Sequence, residues 1–381
     1  MRTHWIWQNP NWPKFEYDQS VVEPLIYQYA KAAVTNASQF SLYPAQTQVD
    51  VMLDILVAEA LKTSAIEGVK IFPEEIRSSL KNQLGLSTHK YKISDKRAEG
   101  IASLALSARD TFQQPLTKEI LYRWHELLLL GIDKYTLINI GLWRTHAEPM
   151  QIISGATGRE TVHYEAPPSF TLDKEMHHFI KWFNTSEKNI PAKNYLCGPI
   201  RAAIAHLYFE CIHPFDDGNG RIGRIIAEKA LAQDLGCPII FSISTTIEAN
   251  KAQYYRELSM ASSGNLDITT WIIYFINMLL QAQQDSATII AFTLQQTLFW
   301  QTYTALLNER QTGMLKRMFK EGAKGFMGGI STKKYMKILD VSKATASRDL
   351  TDLYHKGCLK KLAAGGRSTR YELNLHFVTN R

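Results

Sequence analysis

Twelve consecutive residues, His213-Pro214-Phe215-Asp216-Asp217-Gly218-Asn219-Gly220-Arg221-Ile222-Gly223-Arg224, bring a histidine, two carboxylates, three glycines and two guanidinium groups into one short segment. Each of these types has a task in chemistry on a phosphate. A histidine titrates near neutral pH and can take the proton of an attacking hydroxyl, which makes His213 the candidate base. Asp217 can offer a carboxylate to Mg²⁺, an ion that binds polyphosphates through few protein ligands. Gly218, Asn219 and Gly220, at the mouth of a helix, leave backbone N–H groups aimed at an anion with the helix dipole behind them. Arg221 and Arg224 stand three apart on that helix, so both can reach one side and hold further phosphate oxygens. Taken singly, a His-Pro step or an Asp-Asp-Gly turn is an ordinary way to end a helix. In this order and density, the residues supply what attack on a nucleotide phosphate requires.

The glycines alone, Gly218-x-Gly220-x-x-Gly223, have the spacing of a dinucleotide-binding turn. That fold needs a strand feeding the glycines and an acid about twenty residues further on for the ribose. Here the preceding segment has helical periodicity and His213-Pro214 interrupts any strand. The acid's position falls in Pro238-Ile239-Ile240. The chain also lacks a GxxxxGK[ST] phosphate loop. The dinucleotide fold is rejected on context.

The segments on either side must hold the loop. Ile200, Ala203, Ile204, Leu207, Tyr208 and Cys211 share one helical face and run directly into His213, and a second helix is expected over Asn219–Leu235. Upstream, Val49, Met52, Leu53, Leu56, Ala60 and Leu61 predict a helix over about Ala45–Ile66, ended by Gly68 as its C′ residue. Residues 97–109, 117–130 (opened by a Thr117 cap) and 172–183 read as further helices. Between Gly141 and Pro168 the pattern changes to Gln151-Ile152-Ile153 and Thr161-Val162-His163-Tyr164, either side of Ser154-Gly155-Ala156-Thr157-Gly158. This predicts a hairpin bounded by Pro149 and Pro167. Trp5, Trp7, Trp12 and Phe15 form an aromatic arm expected to pack across the body.

At 381 residues, with ordinary apolar and charged fractions, two or three globular domains are expected and disorder is not. The longest apolar run, residues 271–280, is too short to span a bilayer, and the start of the chain has no signal-peptide core. Cys197, Cys211, Cys237 and Cys358 have neither metal-site nor redox-pair spacing and read as buried thiols in a reducing compartment, hence a cytoplasmic address. Charge is unevenly spread. Residues 316–381 hold 15 Lys/Arg against 5 Asp/Glu, whereas the rest holds 28 basic and 31 acidic residues. A basic module with an acidic partner, nucleic acid first, is the reading. Residues 330–374 follow a winged-helix pattern. One helix is expected over 331–338, a turn at Asp340-Val341-Ser342 and a recognition helix over Lys343–His355. Wing strands at Leu359 and Tyr371–Leu373 flank Ala364-Gly365-Gly366-Arg367. Lys343, Arg348, Lys360, Arg367 and Arg370 are the candidates for DNA contact. The alternative is a winged helix used for protein contact, including a homodimer.

The twelve-residue loop resembles the Fic-family signature H-x-F-x-(D/E)-G-N-G-R-x-x-R at every fixed position, and its helical surroundings resemble the Fic core over roughly residues 95–290. The resemblance implies a mainly α fold: a Fic helical core with a β-hairpin flap, plus a C-terminal winged helix-turn-helix domain. The expected division is an N-terminal helical region over 1–95, a catalytic core over 96–295, and a linker helix with the winged helix over 296–381. It implies an enzyme, a protein adenylyltransferase that moves AMP from ATP to a Ser, Thr or Tyr hydroxyl of a target protein, itself included, and releases pyrophosphate. His213 would be its base and Asp217 its Mg²⁺ ligand. Gly218, Asn219 and Gly220 would bind the α-phosphate region, and Arg221 and Arg224 the outer phosphates. Phe215 would anchor the loop, and Asp216, at a variable position, is assigned no role. Ile152, Ile153, Thr161, Val162 and His163 would form the flap that aligns the target by strand-like pairing. Asn250, Tyr254 and Tyr255 resemble the lining of the adenine pocket, and equally the aromatic face of a core helix.

Thr63-Ser64-Ala65-Ile66-Glu67-Gly68 fits the family's inhibitory pattern (S/T)-x-x-x-E-(G/N), with Thr63, Glu67 and Gly68 at its fixed positions. The resemblance implies that Glu67 pairs with Arg224 and leaves bound ATP in an unproductive pose. In some members the same glutamate helps water remove AMP from a modified target. The competing reading is a DNA-binding regulator whose Fic body senses nucleotide or a partner without turnover. The intact His213, Arg221 and Arg224 favour the enzyme. Transfer of a different phosphate-containing group is a third reading.

Overall fold

A computed structural model of the chain describes residues 5–132, 136–154, 161–186, 198–322, 325–362 and 369–375. Its helices, in chain order, are α1 (Gln19–Ser41), α2 (Ala45–Ile66), α3 (Pro73–Gln83), α4 (Lys96–Asp110), α5 (Lys118–Leu128), α6 (Leu172–Thr185), α7 (Gly198–Ile212), α8 (Asn219–Leu235), α9 (Ile243–Ala249), α10 (Lys251–Ser262), α11 (Thr269–Tyr303), α12 (Glu309–Phe319), α13 (Thr332–Leu339) and α14 (Lys343–His355). Two short antiparallel hairpins complete it, β1 (Gln151–Ser154) with β2 (Thr161–Glu165) and β3 (Leu359–Lys361) with β4 (Tyr371–Leu373). The fold is mainly α with these two hairpins. Contacts divide it into two compact units, Met1–Ser38 with Met52–Gln284 and Gln39–Val51 with Asp285–Arg381.

In the first unit, α7 is the axis of the core. One buried face is expected of it, yet every residue of Gly198–Ile212 is buried, so the apolar stripe is only part of a helix enclosed on all sides. Some of its polar groups find partners inside; His206 Nε2, for one, pairs with the Tyr254 hydroxyl at 2.7 Å. α8 runs alongside α7 and carries Ile222, Ile225, Ile226, Ala230 and Leu231 into the same core. The N-terminal segment shares this core through Trp5, Ile6, Val22, Leu53, Val57, Ala60 and Ile66. The aromatic arm does pack across the body. Trp12 and Phe15 meet Tyr208 edge-on at 5.0 and 5.6 Å. The Trp12 indole N–H donates to Glu175 Oε2 at 3.0 Å, and that of Trp7 to the Glu165 carbonyl at 2.7 Å.

Caps end the helices where the sequence places them. Thr117 Oγ1 accepts from the Ile120 N–H at 3.2 Å at the start of α5. α2 stops where Gly68 turns left-handed at φ +76°, and Val69 N–H closes back on the Ser64 carbonyl at 3.0 Å.

The second unit is a helix-turn-helix with a small wing. Ser331 and Ser342 cap α13 and α14, and Asp340, left-handed at φ +50°, makes the turn between them. Leu359 pairs with Leu373 and Lys361 with Tyr371 across the wing. Its core gathers Met314, Leu315, Ile330, Tyr335, Leu350, Leu353 and Tyr371. Asp349, buried within α14, accepts from the Tyr335 hydroxyl at 3.0 Å and from Arg310 Nε at 3.1 Å.

The hairpin turn at residues 155–158, Cys197, and the wing tip with Arg367 lie outside the described residues. Of the remaining cysteines, Cys211 and Cys358 are buried as expected, but Cys237 is exposed: it follows the helix-ending Gly236 in a loop with no core to enter. Among the described residues, no helix is long and apolar enough to cross a membrane.

Candidate active site

The loop joining α7 to α8 is tied down at nearly every residue. His213 leaves α7 with a left-handed backbone, φ +50°, an uncommon conformation for a residue with a side chain. Arg144 holds it there: its Nε donates to the His213 carbonyl at 2.8 Å, its backbone N–H to the Pro214 carbonyl at 2.9 Å, and its Nη2 to the Pro167 carbonyl at 2.5 Å. Phe215 is fully buried, stacked on the His125 ring with centroids 4.0 Å apart. Asn219 clasps the same residue, accepting from the Phe215 N–H at 2.9 Å and donating to its carbonyl at 2.8 Å. The Asn219 side chain is therefore committed to the loop, and its backbone N–H is the group it can offer to an anion.

His125, which the sequence does not single out, supports the loop from below. Gly141 N–H donates to its Nδ1 at 2.9 Å, so the ring proton sits on Nε2 and points to the Asp217 carbonyl at 3.0 Å. Burial lowers its pKa to about 4, which keeps this tautomer neutral. Asp216, given no role by the sequence, receives both the backbone and side-chain N–H of Asn139 at 2.9 Å. It fixes the segment that leads to Arg144.

His213 itself is half-buried. Burial, and then the neighbouring Arg144 guanidinium, lower its pKa to about 4. It is neutral at physiological pH, the form that accepts a proton. Gly218 turns left-handed at φ +84°, where a Cβ would also lie 2.6 Å from Leu128 Cδ2, so a glycine is required. The backbone N–H groups of Asn219, Gly220 and Arg221 then open the first turn of α8, where helix geometry leaves them without intrahelical acceptors. Asp217 is half exposed beside them. Its Oδ1 accepts from the Gly218 N–H at 2.6 Å, and Arg221 Nη2 stands 3.3 Å from both its oxygens. One exposed carboxylate next to an anion cradle fits Mg²⁺, which takes its other ligands from phosphate and water. An all-protein cage is not on offer: no group of three or more His, Cys, Asp or Glu forms a metal site among the described residues.

Arg224 lies one turn further along α8 and is 1% exposed. The C-terminal end of α2 and the residue after it hold it: Nε donates to Thr63 Oγ1 at 2.9 Å, and Nη2 to the Thr63 carbonyl at 3.1 Å and to Glu67 Oε1 at 2.8 Å. The C-terminus of α2 is fixed in turn by Lys251 Nζ, which donates to the Ile66 carbonyl, and by the Lys62–Glu248 ion pair at 3.0 Å. Thr63 and Glu67 thus reach Arg224 from 161 and 157 positions away, while Gly68 only ends the helix.

The hairpin lies at the other side of His213. Its register pairs Ile152 with Tyr164 and Ile153 with Val162, so His163 is the extra residue of a bulge. Ile152, Ile153 and Val162 are exposed, as is Thr161. Tyr164 points inward, and its hydroxyl donates to the Cys211 carbonyl at 2.6 Å, two residues before His213. Arg144 and Tyr164 together fasten the foot of the hairpin to the end of α7 and the loop after it. The three residues expected at an adenine pocket differ in exposure, with the Tyr254 and Tyr255 rings 5.1 Å apart. Asn250 is exposed at the α9–α10 junction, Tyr254 is buried with its hydroxyl on His206, and Tyr255 faces outward with its hydroxyl 3.5 Å from Glu67 Oε2. In the second unit Lys343, Arg348 and Arg370 are exposed, whereas Lys360 is paired with Glu372 at 3.1 Å.

A profile of the Fic/DOC family matches residues 115–231, a domain of unknown function (DUF4172) matches residues 5–86, and a DeoR-like helix-turn-helix domain matches residues 310–370. The chain is 38% identical over 66 residues to protein adenylyltransferase fic-1 of Caenorhabditis elegans, covering 17% of this chain and 12% of that one. It is 32% identical over 126 residues to protein adenylyltransferase Fic of Drosophila grimshawi, covering 32% and 23%. To the "Probable protein adenylyltransferase" of Aquifex aeolicus it is 22% identical over 224 residues, covering 58% and 60%. The chain therefore spans between an eighth and three-fifths of the length of these curated relatives. A Fic family protein of Desulfovibrio desulfuricans shares the fold, with a TM-score of 0.54 at 19% identity over 93% of this chain and 96% of that one. With its signature loop, the profile over it and this shared fold, the chain carries a Fic/DOC family domain, followed by a DeoR-like helix-turn-helix domain.

Proposed function

We propose that this protein is a self-restrained protein adenylyltransferase, transferring AMP from ATP to a hydroxyl of a protein target. The observation that carries the reading is the state of Arg224. It is a buried guanidinium at the end of an anion-binding loop, and its carboxylate partner is Glu67, just past the end of α2, at 2.8 Å, seated where an outer phosphate would seat.

In the reaction the N–H groups at the start of α8 hold the α-phosphate, and Arg221 and Arg224 hold the outer ones. Asp217 would hold Mg²⁺, which supplies neutralisation of polyphosphate charge. Neutral His213 takes the proton of the target hydroxyl as its oxygen bonds to the α-phosphorus. The bond from that phosphorus to the bridging oxygen breaks, and pyrophosphate leaves. The exposed edge of the hairpin at Ile152, Ile153, Thr161 and Val162 presents backbone groups to an extended target segment. While Glu67 occupies Arg224, the outermost phosphate lacks its clamp and the α-phosphorus is not brought into line.

Intact-mass spectrometry after incubation with each nucleoside triphosphate tests this. Glu67→Gly is expected to gain AMP, on itself or on added target, more than tenfold faster than wild type, a change of about 1.4 kcal/mol or more in barrier. Glu67→Gly/His213→Ala should gain none. Equal incorporation by wild type and Glu67→Gly would overturn the restraint, and a different added mass would name another transferred group. A pre-AMPylated target that releases free AMP on incubation with wild type would assign removal as the main activity.

For the second unit, the exposed Lys343 and Arg348 on α14 and the DeoR-like match support DNA contact by this helix. A regulator without turnover would show that binding and no covalent AMP.

A further inference from the structure

Behind Arg224 lies a second carboxyl group that the phosphate chemistry does not use. Glu210 sits on α7, three residues before His213, and is 8% exposed. It and Glu67 reach α8 at two different glycines. A Cβ on Gly220, one turn before Arg224, would stand 2.6 Å from Glu67 Oε1 and 3.2 Å from Arg224 Nη1. A Cβ on Gly223, next to Arg224, would collide with Glu210 Oε1. The two glycines are where α8 admits a carboxyl group against its backbone. Glu210 Oε1 and Arg224 Nη1 are both buried, and neither has a hydrogen-bond partner among the described residues.

The groups around Glu210 are Arg224 from α8, Glu67 from the turn after α2, Tyr254 and Tyr255 from α10, and Tyr164 from β2. Its own helix adds His206 and Cys211, with His213 just beyond. Among them stands one firmly charged cation, Arg224, since burial keeps His206 and His213 neutral. Two carboxylates cannot both be compensated by one guanidinium in a buried site, and the uncompensated one keeps its proton instead. Burial pushes the Glu210 carboxyl up to about 8; Arg224 opposes the rise and Glu67 adds to it.

We infer that Glu210 is the standby counter-ion of Arg224: it stays protonated while Glu67 is docked on Arg224 and ionises when Glu67 withdraws, so lifting the restraint releases one proton to solvent. In the released state Glu210 is a positioning residue, holding the guanidinium from the core side while the other side faces phosphate. This rests on the reading of Arg224 as a nucleotide clamp. The released state binds one proton fewer, so release becomes easier as pH rises, by up to tenfold per pH unit. The gain levels off once pH passes about 8, where Glu210 ionises in the docked state too.

Infrared difference spectroscopy of the full chain at pH 7 tests the proton directly. Wild type minus Glu210→Gln is expected to show a carboxylic-acid band, and Glu67→Gly minus Glu67→Gly/Glu210→Gln a carboxylate band instead. Glu228, which burial also holds protonated, is coupled to Arg224 too, so all the proteins compared carry Glu228→Gln. Comparing wild type with Glu67→Gly needs no change at position 210, and loss of one acid band on removing Glu67 supports the exchange even if Glu210→Gln folds poorly. The same band in both, or in neither, overturns it. The ratio of AMP transfer by wild type to that by Glu67→Gly should rise up to tenfold per unit from pH 6 toward 8 and be flat when both carry Glu210→Gln. A spectral exchange without AMP transfer supports Glu210's role and sinks the enzyme reading. AMP transfer with a pH-independent ratio sinks Glu210's role alone.

Discussion

As the proposed base, His213 owes its neutral form to its surroundings more than to its type. Burial and the Arg144 guanidinium both disfavour its protonated form and bring it to about 4. The sign of the pH dependence follows: the proton-accepting form persists as pH falls through 6.5 and is lost only near 4. In the Glu67→Gly background, AMP transfer should stay level from pH 8 to about 5 and fall below that. Arg144→Met removes one of the two causes, so the acid limb should move upward toward the ordinary histidine value. The rate should also drop, because the His213 carbonyl loses its 2.8 Å donor. A pH–rate profile checks both; an unmoved acid limb would mean that burial alone sets His213. The residues of the loop were legible in the sequence because their tasks are local and their spacing is fixed by one turn and one helix. Arg144, His125, Asp216, Tyr164 and Glu210 were not. Each acts through a partner brought near by folding, as Arg144 reaches His213 across 69 residues and His125 reaches Asp217 across 92.

At the scale of elements, the N-terminal region works on both sides of the site. α2 carries Thr63 and Glu67 to Arg224, and the aromatic arm carries Trp7 to the carbonyl of Glu165, the last residue of β2. A hairpin of two short strands is marginal alone and needs such packing. Trp7→Phe keeps the ring and removes the 2.7 Å bond, a loss of about 1 kcal/mol. The expected result is a KM for protein target raised about fivefold with the KM for ATP unchanged. Steady-state kinetics with a peptide or protein acceptor measure this, and equal rises in both constants would show the arm acting on the whole core instead. Helix existence was readable from periodicity and caps at α2, α4, α5, α6, α8, α13 and α14. What periodicity missed was the enclosure of α7, since a helix surrounded on every side shows no polar face to mark it.

For the whole molecule, the uneven charge is the property to test. The basic excess lies in residues 316–381, where α14 exposes Lys343 and Arg348 beside a buried, core-facing Asp349. If this helix meets a duplex, gel shifts with the full chain should weaken steeply with salt, and Lys343→Ala and Arg348→Ala should each lower the salt slope by about 1. Absence of a shift at low salt would assign the domain to protein contact.

By itself the sequence determined the order and spacing of the reactive groups in residues 213–224, the helices and hairpins around them, and the basic helix-turn-helix. All of these depend on neighbours within a few positions, where spacing and period carry the physics. The family pattern implied the Glu67–Arg224 pair, but only the tertiary structure decided its geometry and which other charges share the site. Arg224 meets Glu67 at 2.8 Å, and Gly220 and Gly223 leave room for one carboxyl group each, because α2, α7 and α8 pack together. An ion pair between residues 157 positions apart is set by that packing, and no local pattern encodes the distance.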